Sequence, residues 1–175
     1  MITIQDKHFE LYMRSDEIQA VVRRLAKEIS ADLRHLNPIV CPVLNGSFFF
    51  GNDLLRNLDF DPELQCVRYS SYSGIHSTGE VNRLLAFPDS VRGRHVLVVE
   101  DIIETGISMK AMLADLQSKS PAAIHVCTLM RKPALLQCEV QIDYVGKDIP
   151  DDFIVGYGFD YNGHGRTYPD IYSLV

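Results

Sequence analysis

The sequence lacks a C-x-x-C pair, a basic excess and any apolar run near the ~20 residues that a membrane-spanning helix needs. Each absence removes a class of function. The four cysteines, Cys41, Cys66, Cys127 and Cys138, are widely spaced, so zinc and redox motifs have no support and free thiols in a reducing cytoplasm are expected. With 17 Lys+Arg against 23 Asp+Glu the formal charge is −6, which gives no overall positive field for a nucleic-acid backbone. Met1 to Lys7 form neither a basic n-region nor an apolar h-region, so no secretory signal is expected. There is no P-loop, H-E-x-x-H or G-x-S-x-G. The six histidines, His8, His35, His76, His95, His125 and His164, show no metal-ligand spacing. The expectation is a cytoplasmic protein with neither a membrane nor a nucleic-acid partner.

What is present suffices for a core. At 175 residues the chain suits one domain, 1–175, and a chain of that size buries roughly 70% of the surface its unfolded form exposes. The share of hydrophobic residues, 46%, and of charged ones, 23%, is that of an ordinary globular protein without long disorder.

A first helix is expected from Ser15 or Asp16, which can cap it, through Ile18, Val21, Val22, Leu25, Ile29 and Leu33 at helical spacing. Ile39 to Leu44 is a short apolar run closed by Asn45-Gly46, as a buried parallel strand reads, and Phe48 to Leu58 follows as a helix. Leu64 to Tyr69 and Val81 to Phe87 have strand character on either side of Ser70 to Gly79, which is small and polar almost throughout. His95 to Val99 is the most strand-like run. It leads through Glu100 to Gly106 into a helix carrying Met109, Met112, Leu113 and Leu116, and Ala123 to Met130 is a further strand. Short strand-like pieces follow at Val140 to Val145 and Phe153 to Tyr157, before the Gly-rich Gly156 to Arg166. Alternating strands and helices predict an α/β domain with a central, mostly parallel sheet flanked by helices.

The decisive stretch is Val98-Val99-Glu100-Asp101-Ile102-Ile103-Glu104-Thr105-Gly106-Ile107-Ser108. An apolar strand delivers two adjacent carboxylates at its C-terminal edge, where open α/β sheets bind ligands. The small and hydroxylic residues after it open a helix whose free amides suit a phosphate. Carboxylates beside a phosphate cradle fit a ligand with hydroxyl groups to donate, or one that brings a metal cation; a sugar phosphate with Mg2+ meets both needs. Read singly, Glu100 and Asp101 are exposed loop acids and Thr105 a helix cap, but such a block at the end of a buried strand calls for a ligand.

This block resembles the phosphoribosyl-diphosphate (PRPP) signature of the type I phosphoribosyltransferases, within them the hypoxanthine and hypoxanthine-guanine branch. The resemblance spans roughly Ile39 to the C-terminus and rests on ordered motifs: Val43 to Ser47, Ser71-Tyr72 with Ser77-Thr78-Gly79, the Glu-Asp block, Thr128 to Pro133, and Phe153 to Tyr157 through Asp160 to Arg166. It implies a type I phosphoribosyltransferase-like fold with a small C-terminal hood. It also implies transfer of a phosphoribosyl group from PRPP to a 6-oxopurine, Mg2+ as cofactor, and a homodimer or homotetramer with an interface near Arg68 and the first loop. The alternative is a regulator of the same fold that senses PRPP without catalysis.

By the resemblance, Glu100 and Asp101 accept from the ribose hydroxyls and, with Asp160, face the metal. Glu104, Thr105, Gly106, Ile107 and Ser108 hold the 5-phosphate, while amides of Asn45, Gly46 and Ser47, with Arg166, hold pyrophosphate. Lys132, alone a solvated surface lysine, donates to the purine 6-oxo group, and Phe153, alone a core aromatic, stacks on a base whose edge Ile154 reads beside Asp160. Ser71 and Tyr72 belong to a lid over the sugar, and a cis peptide is implied at Leu44-Asn45. Two departures stand out. Position 104 usually carries Asp as the base serving purine N7 and here carries Glu104; the first loop often carries Lys or Arg where this chain has Asn45.

Overall fold

The computed structural model describes residues 1–71 and 81–175. A hairpin of β1 (Ile2–Ile4) and β2 (Lys7–Met13) precedes the long helix α1 (Ser15–Leu33). The start of α1 is satisfied from two directions: the Arg14 amide donates to Glu17 Oε2 at 2.9 Å, and the Ser15 amide donates to Asp170 Oδ1 at 2.7 Å. Then come β3 (Ile39–Pro42), α2 (Phe48–Asn57), β4 (Glu63–Leu64), β5 (Arg68–Ser71) and β6 (Val81–Leu85). The remaining elements are β7 (His95–Ile103), α3 (Ile107–Ser118), β8 (Ala123–Arg131), β9 (Tyr144–Asp148), β10 (Ile154–Val155) and β11 (Ile171–Leu174).

The central sheet has the order β4-β3-β7-β8-β9 and all its pairings are parallel. Strands buried on both faces need no polar alternation, which is why β3 and the 96–99 part of β7 read as unbroken apolar runs. Leu97 and Val99 join the cluster under α1 and α2 with Val22, Leu25, Ile29, Phe50 and Leu54; Val96 and Val98 join that of Met109, Met112 and Leu116 on α3.

The structure revises the sequence reading at several places. The expected strand from Leu64 to Tyr69 is two strands: β4 extends the central sheet, Val67 makes one bridge to Val43, and β5 then leaves to pair antiparallel with β6. Strand β7 does not end before the acids; it pairs with β8 as far as Ile103↔Arg131, so Glu100 and Asp101 stand in the strand itself. The hood is not C-terminal alone. The N-terminal hairpin supplies half of a second sheet, ordered β1-β2-β11-β10 and antiparallel throughout. Of the expected 153–157 strand only Ile154–Val155 forms, and 140–142 precede β9 without strand structure.

All four cysteines are free, Cys41 and Cys127 buried, with burial pushing the Cys41 thiol up to about 12. Two histidines expected to be bland are hydrogen-bonded to each other, His95 Nδ1 and His125 Nε2 lying 3.3 Å apart near the sheet's N-terminal edge.

Candidate functional site

Parallel strands end together, and here β3, β7, β8 and β9 bring their C-terminal ends to one edge. The turn after β3 reaches that edge as Val43 to Ser47, held by the Val43 amide on Val99 O at 2.9 Å and the Leu44 amide on Val67 O at 2.8 Å. The Leu44–Asn45 peptide is cis, as the resemblance implied. Gly46 abuts the Asp101 carboxylate so closely that a Cβ there would overlap it. Gly158, at φ +107°, brings the hood onto the carbonyl oxygen of Gly46, again with no room for a Cβ.

Glu100 and Asp101 are half-buried neighbours. Burial pushes the Glu100 carboxyl well above the usual carboxylate range, and the adjacent Asp101 charge adds to the rise. Burial also raises Asp101, against the opposing pull of the Ile102 amide, which donates to its Oδ1 at 2.9 Å, and of Arg166. An under-compensated carboxylate pair of this kind favours a cation or hydroxyl donors beside it. Its hard oxygen donors suit Mg2+, which binds through one or two carboxylates and keeps its remaining positions for water and substrate phosphates. Among the described residues no three His, Cys, Asp or Glu side chains converge into a metal cage. Asp160 instead pairs with Arg166 Nη2 at 2.5 Å and accepts from the Gly163 amide at 2.6 Å.

Beyond β7 the chain turns through Glu104, Thr105 and Gly106 into α3, with Gly106 at φ +79°. A cavity of about 140 Å³ lies there, lined by Glu100, Ile102, Ile103, Glu104, Thr105, Gly106, Ser108 and Met109. It faces the N-terminus of a twelve-residue helix whose first amides and dipole favour an anion. Ile107, the first residue of α3, is exposed and its amide donates to Thr105 Oγ1 at 3.4 Å.

Lys132 directly follows β8, and its amide donates to Ile103 O at 3.0 Å. It is 4% exposed, so the solvated-surface alternative is wrong. Its ammonium pairs with the Glu104 carboxylate and lies 3.4 Å from Asp151 Oδ1. Nothing local in the sequence marks that burial, because both partners come from other segments. Asp151, absent from the sequence reading, is the site residue that reading missed.

Phe153 is 45% exposed, so it is not the core aromatic of the alternative reading. Its ring leans on the fully buried Phe9 at 6.4 Å and meets Tyr161 edge-on at 6.0 Å, while Ile154 behind it is buried. Arg166 is tied back by Nη1 to Gly158 O at 2.5 Å. The Gly-rich strap is fixed to the body by the Tyr157 hydroxyl, which donates to Asp53 Oδ2 at 2.6 Å; Gln19 Nε2 donates to the same oxygen at 2.6 Å. Asn45 is exposed beside Gly46. Of the expected lid, Ser71 closes β5, whereas Tyr72 and the rest of 72–79 lie outside the described residues.

Comparison with known proteins gives a consistent result. The family model described as "Phosphoribosyl transferase domain" matches residues 13–162. A hypoxanthine-guanine-xanthine phosphoribosyltransferase of Tritrichomonas foetus is 43% identical over 157 residues, covering 89% of this chain and 86% of the relative. A crystal structure of a hypoxanthine phosphoribosyltransferase from Staphylococcus aureus superposes with a TM-score of 0.90 at 34% identity, covering 95% of this chain and 91% of that one. A Bacillus anthracis hypoxanthine-guanine phosphoribosyltransferase, with a HEPES molecule in its active site, gives 0.89 at 34% identity over 99% and 100% of the two chains.

Proposed function

Because this chain belongs to the phosphoribosyl transferase family and has its type I fold, we propose that it is a purine salvage enzyme. It transfers the 5-phosphoribosyl group of PRPP to a 6-oxopurine such as hypoxanthine and releases pyrophosphate. The bond from the ribose anomeric carbon to pyrophosphate oxygen breaks, the bond to purine nitrogen forms, and the purine proton passes to a carboxylate. The whole chain, 1–175, acts as one catalytic domain, cytoplasmic and assembled as a homodimer or homotetramer.

The observation that carries this reading is the buried Lys132 ammonium beside Glu104, next to a phosphate-sized cavity at one sheet edge. A base-reading donor and a sugar-phosphate cradle in one cleft are what transfer to a purine requires. A sensor of PRPP alone has no use for Lys132, so the regulatory reading is not favoured.

In this reading the amides of Thr105 to Ser108 hold the 5-phosphate, and Asn45 and Gly46 hold pyrophosphate through backbone amides, with Arg166 above it. Glu100 and Asp101 orient the ribose through its hydroxyls. Mg2+, where bound, neutralises the departing polyanion. Glu100 and Asp101 would hold it with substrate oxygens, and Asp160 would face it once freed from Arg166. Lys132 donates to the 6-oxo oxygen, which adenine lacks. Phe153 offers the base a ring face, backbone at Ile154 reads the base edge, and Glu104 takes the proton at N7.

The direct test is PRPP- and Mg2+-dependent consumption of hypoxanthine followed by ultraviolet absorbance. Turnover with hypoxanthine but not adenine is the expected result; no turnover with any purine overturns the reading.

A further inference from the structure

The purine end of the site is unusual in its charge balance. One buried ammonium, on Lys132, serves two carboxylates, Glu104 and Asp151. No other cation among the described residues balances the excess. Arg131, one residue earlier, is committed to Asp148 by two hydrogen bonds of 2.7 and 2.8 Å. Arg166 is committed to Asp160, and Lys147 lies over the Tyr12 ring at 5.7 Å. The neighbouring Asp152 adds a further negative charge on the side of Tyr12, whose hydroxyl is pushed up by burial first and by Asp152 second.

We infer that Asp151 is a specificity-determining residue: with Glu104 it brackets Lys132 so that the base pocket is net negative, accepting neutral 6-oxopurines and rejecting the anion of xanthine. The inference rests on the reading that Lys132 meets the purine 6-oxo group, and it names which 6-oxopurines that site favours.

The chemistry runs as follows. Hypoxanthine and guanine are neutral near neutral pH. Xanthine is the more acidic because of its second carbonyl, and it ionises there, spreading negative charge over the ring. A neutral base replaces one carboxylate at Lys132 without adding charge. An anionic base enters beside two carboxylates with one ammonium between them, and like charges juxtaposed in a partly desolvated site are disfavoured. Asp151 is the separable part of this arrangement, because its side chain is 67% exposed and it is not the residue aimed at N7. Its contact with Lys132 also fixes where the ammonium points, so it acts on the base through Lys132 rather than by touching it.

The experiment compares kcat/KM for hypoxanthine, guanine and xanthine, with PRPP and Mg2+ saturating, on the acid and alkaline sides of xanthine's ionisation. The ratio of xanthine to hypoxanthine cancels titrations of the enzyme itself. For the unaltered protein that ratio should fall about tenfold from the acid to the alkaline side, and added salt should shrink the fall. In Asp151→Asn, hypoxanthine efficiency should drop about two- to threefold, through KM, as Lys132 loses a holder. Xanthine efficiency on the alkaline side should rise, so the ratio should recover about tenfold; Asp151→Glu should restore the original ratio. A ratio that ignores pH in the unaltered protein overturns the inference, and so does an Asp151→Asn enzyme in which all three bases change by one common factor. Failure of hypoxanthine itself to react is a different outcome, which overturns the proposed activity and this inference with it.

Discussion

The carboxylate of Asp101, at the end of β7, rests against Cα of Gly46, in the loop after β3. Two strand ends thereby fix each other's position across the cleft. Gly46→Ala pushes a methyl group into that carboxylate. Overpacking of this sort costs about 1–3 kcal/mol. The larger effect should be on PRPP, since an ångström of displacement in a positioned site is worth about 10²-fold in kcat/KM. Calorimetric titration with PRPP together with a melting curve separates the two effects.

Glu104→Gln keeps the side-chain shape and weakens the pair with Lys132; in the proposed mechanism it also removes the proton acceptor. It should lower kcat by ~10²–10⁴ and leave PRPP affinity nearly unchanged, because the proposed phosphate site is built from amides. Near-normal turnover in single-turnover kinetics would mean that another group serves N7. Glu104→Asp should retain most of the activity.

Lys132→Ala removes the only buried ammonium at the purine end among the described residues. Discrimination of hypoxanthine from adenine should shrink by about 1.5–3 kcal/mol, the worth of a hydrogen bond to a charged group. Competition between the two bases in one assay measures it; unchanged preference would remove Lys132 from the site.

Phe9→Ala tests the hood. Phe9 is fully buried beneath Phe153 and Tyr161, so its loss should cost about 3–5 kcal/mol and raise KM for the purine more than for PRPP. Urea titration and paired KM measurements read both.

Glu100→Gln relieves a half-buried like-charge neighbour of Asp101. The expected outcome is a protein that melts higher in the absence of ligands yet turns over more slowly, a trade common at sites built around uncompensated charge. Calorimetry and steady-state rates on the same preparation check it.

The legible part of this molecule is the part whose partners are close in pattern. Strands β3, β7 and β8 announce themselves because burial on both faces leaves an apolar run, and Glu100-Asp101 with Thr105-Gly106 stands out against it. Strand β2 does not, because Phe9 and Met13 face a core completed by β10 and β11 from the far end of the chain. The break at Val67 is equally silent, since alternation continues while the pairing changes from one sheet to another. The burial of Lys132 depends on Glu104 and Asp151, nineteen residues beyond it, meeting at its ammonium. Distant pairing of this kind leaves no local periodicity to read.

The interleaving of β2 with β11 bears on how the protein is made. A ribosome delivers Lys7–Met13 early, yet that strand stays without its neighbour until Ile171–Leu174 emerge. The central sheet and the cavity at its edge lie within 39–148. Until β11 docks, β2 keeps an open edge and the second sheet lacks the strand that joins the N-terminal hairpin to β10. An edge of that kind invites pairing with other chains, and the arrival of β11 silences that hazard.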